Sequence, residues 1–138
     1  MIVEISSSLE TFKTLRFKPG LNILLAEKAE QSGIRDTRNG TGKTSMIELI
    51  HYLVAEKRNS SDDFHNPELV GSEFGIVFRK DASDLSVRKV SGADKDAIKF
   101  NDQDITAKDL RADLALRWFQ LDEATTQEKY APKFGALF

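Results

Sequence analysis

The chain has 138 residues, 40% apolar and 30% charged, with a formal net charge of −2 and no cysteine. That length holds a single core and excludes a multidomain enzyme, and the missing cysteines exclude a disulfide framework or thiolate metal site, as in a reducing cytoplasm. The near-neutral charge leaves no electrostatic footprint for nucleic acid, and "MIVEISSS" has neither a basic n-region nor a long apolar core, so no leader and no membrane association are expected.

In chain order, the pattern predicts a strand over Ile2 to Ile5, a polar loop, and a second strand around Thr14 to Phe17. A Lys-Pro-Gly turn then opens "GLNILLAE" (20–27), which reads as a short, nearly all-apolar strand. After residues 27–37, small and charged and expected to be mobile without nucleotide, comes "DTRNGTGKTSMIELIHYLVA". Met46, Ile47, Leu49, Ile50, Leu53 and Val54 recur at helical spacing, with Glu48, His51 and Glu56 on other faces, so a helix is predicted to about Lys57–Arg58. Those two cations suit a helix C-terminus. "EFGIVFRK" and "LSVRKV" read as a hairpin around "DASD", and "AIKFND" as a third strand. Thr106 and Asp109 make a capping box for a helix to about Trp118, with Leu110, Leu114 and Trp118 on one face. No repeat or linker divides the chain, so 1–138 reads as one α/β unit.

The chemistry sits in "NGTGKT". A phosphate-binding loop has a glycine, four free positions and Gly-Lys-Ser/Thr between a buried strand and a helix. Gly40 and Gly42 permit the positive φ that curls successive N–H groups inward. Lys43 would place an ammonium on the β- and γ-phosphates and Thr44 its hydroxyl on Mg²⁺, while the helix adds its positive end. Thr37 stands where the pattern has its first glycine. The bland alternative is an ordinary turn, Asn39–Gly42, capping an amphipathic helix.

With "FKPGLNILL" before the loop and "SMIELIHYLV" after it, the chain resembles the N-terminal lobe of the SMC-like ABC ATPases: the SMC proteins, RecF, RecN and SbcC-type nuclease partners. Within that superfamily it looks most like a bacterial coiled-coil family linked to phage defence. The resemblance implies a P-loop NTPase fold of the ABC/SMC type, with a mixed sheet around the P-loop helix and an antiparallel side sheet from residues 74–101. It implies that Asn39, Gly40, Thr41, Gly42, Lys43, Thr44 and Ser45 wrap the phosphates of Mg²⁺-ATP. Ser7 and Ser8 would meet the adenosine, with Phe12 and Lys13 as rivals, and Gln120 in "WFQLDE" would sense Mg²⁺ and the attacking water. It also implies partners: the C-terminal half of the same head, a second head in a homodimer, and DNA through the complete assembly.

Hydrolysis in that family needs an apolar strand ending in Asp-Glu and a signature helix from the second head. "FQLDEA" holds Asp122–Glu123 after too few apolar residues, and no signature motif is present. The chain therefore reads as the front half of a longer protein, inactive alone. An interaction domain with weak or lost nucleotide binding is the other reading that the sequence leaves open. His51 and His65 read as surface or cap residues, Asp62–Asp63 as a solvated loop or helix cap, Phe74, Phe78, Phe100 and Trp118 as core, and Arg35 and Arg38 as part of a solvated mobile insertion or, alternatively, a pair reaching phosphate or a partner head.

Overall fold

Alternating side chains fix the buried face of the central hairpin. The computed structural model describes residues 1–24, 43–55, 64, 66–92 and 96–118. On β3 (Glu73–Lys80), Phe74, Ile76 and Phe78 are buried, and on β4 (Ser83–Val90) Val87 and Lys89 face the same way. The register carries this face across neighbouring strands. Ile5 of β1 (Ile2–Ser7) pairs with Ile76, Ile76 with Val87, and Val87 with Phe100 of β5 (Ala97–Phe100). Four strands thus line up one buried apolar row, each large side chain contributing roughly 1.5–3 kcal/mol of burial. The opposite face is polar: Ser6 pairs with Gly75, Gly75 with Arg88, and Arg88 with Lys99.

Two short strands close the edges, β2 (Leu15–Arg16) beside β1 and β6 (Gln103–Asp104) beside β5, giving the order β2-β1-β3-β4-β5-β6. Asn101 and Asp102 both take positive φ, 49° and 66°, which is the geometry of a two-residue hairpin turn. One helix, α1 (Lys43–Leu53), lies against β3 and β4. The other, α2 (Ala107–Asp113), starts at its capping box, where the Thr106 hydroxyl donates to Asp109 at 2.6 Å and accepts from its N–H at 3.2 Å. It continues as a π-helical turn over Leu114–Trp118, with Leu110 and Leu114 buried.

The expected P-loop NTPase fold, with a mixed sheet around the helix, is not what these residues build. Every strand pair among them is antiparallel, and no helix-packed parallel sheet is present. The decisive segment is "GLNILL". Its described residues, 20–24, form no strand, and Leu21 and Ile23 are 89% and 71% exposed. Asn22 turns the chain instead: its side chain accepts from the Lys18 N–H at 2.9 Å and donates to the Lys18 and Gly20 carbonyls at 2.7 and 3.1 Å. With Gly20 at φ 95°, side-chain bonding satisfies the backbone that a strand partner would otherwise hold.

Candidate functional site

The Lys-Thr of the predicted loop falls on α1, whose first described residues are Lys43, Thr44 and Ser45. The first turn contains no acidic side chain, so nothing on the helix offsets the positive end of its dipole. Ser45 is half-buried there. The side chains of Lys43 and Thr44 lie outside the described residues, as do Asn39, Gly40, Thr41 and Gly42, the 27–37 insertion with Arg35, Thr37 and neighbouring Arg38, and His65, Gln120, Asp122 and Glu123. The reading of Thr44 and Gln120 as Mg²⁺ contacts therefore has no geometry here. No group of three or more His, Asp or Glu side chains is placed to hold a metal ion among the described residues.

What seats α1 is its other face and its far end. Leu49 and Leu53 are fully buried, and Met46 and Ile50 pack against the same cluster. Ile47, expected on this stripe, faces away and is 55% exposed. Tyr52 takes up the burial instead, stacking on Phe64 at 5.5 Å and meeting Phe74 edge-on at 6.1 Å. Such aromatic pairs add about 0.5–1.5 kcal/mol beyond area burial.

The helix ends at Leu53, before the expected Lys57–Arg58. Ala55, at φ 60°, leaves the helical conformation, and its N–H returns to the Tyr52 carbonyl at 3.2 Å. Cations do meet this C-terminus, but they come from other elements. Lys89 of β4 donates to the Tyr52 carbonyl with its ammonium 4.5 Å from the centre of the Tyr52 ring, and Arg111 of α2 donates to the Ala55 carbonyl at 2.8 Å. Lys89 is only 4% exposed. Burial is the main cause that brings its pKa down to about 8; the Asp96 charge pulls it up and the Arg111 charge pushes it further down. Reading "LSVRKV" strictly by alternation would have found it, because Leu85, Val87 and Lys89 share one face.

The adenosine candidates are placed differently. Ser7 donates through its hydroxyl to the Glu73 carbonyl at 2.9 Å, and the Ser8 hydroxyl accepts from the Glu73 N–H at 2.9 Å. Both hydroxyls are thus engaged in tying the end of β1 to the start of β3. Of their rivals, Phe12 is half-buried against the core and Lys13 is exposed.

No family model matches the chain, and no curated protein matches it either. No helix among the described residues is long and apolar enough to cross a membrane.

Proposed function

We propose that the chain is the ATP-binding half of an SMC-like head, working in the cytoplasm and holding Mg²⁺-ATP at the start of α1. The observation that supports the reading is that Lys43, Thr44 and Ser45 are the first described residues of a seated helix. That turn is free of acidic residues, and the opposite end is met by Lys89 and Arg111. A helix N-terminus of this kind suits an anion by both its free N–H groups and its dipole.

In this reading Asn39 to Ser45 surround the phosphates, Lys43 meets the β- and γ-phosphates, and Thr44 meets Mg²⁺. Bound Mg²⁺ supplies charge neutralisation on the phosphoryl oxygens. Hydrolysis waits for a C-terminal half with an Asp-Glu strand and signature motif, and for a second head. DNA enters only through that complete assembly.

Titration of a labelled ATP analogue against the wild type and Lys43→Ala tests the site. Binding that Lys43→Ala abolishes supports it, and equal binding by both overturns it. Lys43→Arg also fails, because a planar guanidinium does not replace a compact ammonium. The second reading, an interaction domain, is favoured by one observation, the exposure of Leu21, Ile23 and Leu24 in sequence. Absence of nucleotide binding at any Mg²⁺ concentration would leave that reading in place.

A further inference from the structure

The loop that leaves β2 presents apolar side chains to solvent on a turn that bonds to itself. Leu21, Ile23 and Leu24 are 89%, 71% and 50% exposed. Between them, the Asn22 side chain accepts from the Lys18 N–H and donates to the Lys18 and Gly20 carbonyls. Pro19 brings no N–H to satisfy. Unpaired backbone is a main penalty for moving a loop into an apolar medium, and at this tip three backbone groups are already paired within the loop. The stretch before the tip adds charge of one sign. Lys13, Arg16 and Lys18 are exposed, and residues 11–24 hold no Asp or Glu. Leu15 and Phe17 pack against the core, so Arg16 and Lys18 stand on the outer side of the chain. Glu4 of β1 pairs with Arg16 at 3.0 Å, while Lys13 and Lys18 have no carboxylate partner among the described residues.

We propose that this loop docks on an anionic lipid surface, with Leu21, Ile23 and Leu24 entering the boundary between headgroups and acyl chains. Lys13, Arg16 and Lys18 then lie against the anionic headgroups. Such a contact is peripheral and needs no spanning helix; apolar insertion and cation attraction, each marginal alone, act together. A nucleic acid would meet the cations but leave the three apolar side chains in water. An apolar groove on another protein would take those side chains but makes no use of the cations. A lipid surface accepts both. The contact gives a partner class to the exposure that favours the interaction reading, and it does not rest on nucleotide binding at α1.

The test is co-sedimentation of the 138-residue chain with sucrose-loaded vesicles. These are made of phosphatidylcholine alone or with about one-third phosphatidylserine. Binding to the anionic vesicles is expected, weaker by about tenfold or more on the neutral ones and in high salt. The double variant Leu21→Ser, Ile23→Ser is expected to weaken it by about tenfold or more, and Lys18→Gln by about fivefold. All three side chains are exposed, so urea unfolding is expected to be unchanged, which separates lost binding from lost folding. Because the chain has no cysteine, Ile23→Cys carries a single environment-sensitive dye, whose emission is expected to shift to the blue on anionic vesicles. No binding to anionic vesicles, binding that the double variant retains, or a dye that stays in water overturns the proposal. So does a wild-type dimer that the double variant makes monomeric without any vesicle binding, since a second copy then covers the loop. The vesicle result is read without nucleotide, so its failure and that of the ATP titration are distinguishable.

Discussion

Lys89 and Tyr52 meet twice, through the helix-end carbonyl and through the face of the ring, although they lie 37 residues apart. The contact has a consequence for the whole fold. The pKa of Lys89 is brought down to about 8 from 10.5, so the folded chain gives up this proton before the unfolded chain does. Below pH 8 both states are protonated and the cost of the buried charge is fully felt. Between about pH 8 and 10.5 the unfolded state holds more protons, so this group makes stability rise with pH. The full rise is on the order of 3 kcal/mol. Urea titrations at pH 7.5 and 9.5 are expected to read about 2 kcal/mol of it. Lys89→Met is expected to remove this component and to be no less stable than wild type at pH 7.5, as apolar replacements of buried charges often are.

Arg111 and Ala55 form the companion contact, joining α2 to the end of α1 across 56 residues. Arg111→Met removes a charge-assisted bond and is expected to cost about 1.5–3 kcal/mol in urea unfolding at neutral pH. It also has an electrostatic signature. The Arg111 charge helps hold the Lys89 pKa down. Without it, that pKa moves back toward its ordinary value, and the pH-dependent rise in stability begins above pH 8 and becomes smaller. A variant that loses stability equally at every pH would show that the two cations are not coupled.

These contacts explain which features were legible in the sequence. The capping box of Thr106 and Asp109 was, because both partners lie within one turn and the bond is local. So were the core positions Phe74, Phe78 and Phe100, and the helix carrying Met46, Leu49, Ile50 and Leu53, since periodicity announces them. The end of α1 was not legible. Lys57 and Arg58 suit a helix terminus by composition, yet the carbonyls are met by Lys89 and Arg111, which only the tertiary fold brings near. "GLNILL" misled for the opposite reason. Its apolar run suggests a buried strand, while a single side chain, Asn22, binds the backbone into a turn. Strand β6 escaped because two residues carry no period, although Asn101–Asp102 is a turn signal of a known kind. Of the candidate site, the helix start is placed, while the loop before it and Gln120 lie outside the described residues.

The serines at the end of β1 give a test that separates structure from binding. Because the Ser7 and Ser8 hydroxyls bond the backbone of Glu73, Ser7→Ala and Ser8→Ala are each expected to cost about 1 kcal/mol of stability. Affinity for an ATP analogue should be unchanged in both. Lys13, exposed nearby in the sequence, is a rival adenosine candidate, and Lys13→Ala is expected to weaken binding without lowering stability. If Ser7→Ala or Ser8→Ala lowers affinity at unchanged stability, the hydroxyls serve the ligand instead of the strand.

Catalysis provides the last test, and its logic is one of missing parts. Phosphoryl transfer to water requires a positioned nucleophile as well as stabilisation of charge on the γ-phosphate. In the proposed site, Lys43 and Thr44 would address only the charge. The sequence holds no apolar strand ending in Asp-Glu at a suitable place and no signature motif. The chain alone is therefore expected to show no ATP turnover above background, even where it binds ATP. If the proposed assembly holds, adding a C-terminal half in trans brings turnover, with a rate that rises more steeply than linearly with protein concentration because two heads would have to meet. A coupled phosphate-release assay across a dilution series reads both effects. Turnover by the 138-residue chain alone, abolished by Lys43→Ala, would mean that this chain positions the water itself. Asp122→Asn and Glu123→Gln would then be the variants to make, since those two carboxylates follow Gln120 and are the nearest candidates for that role.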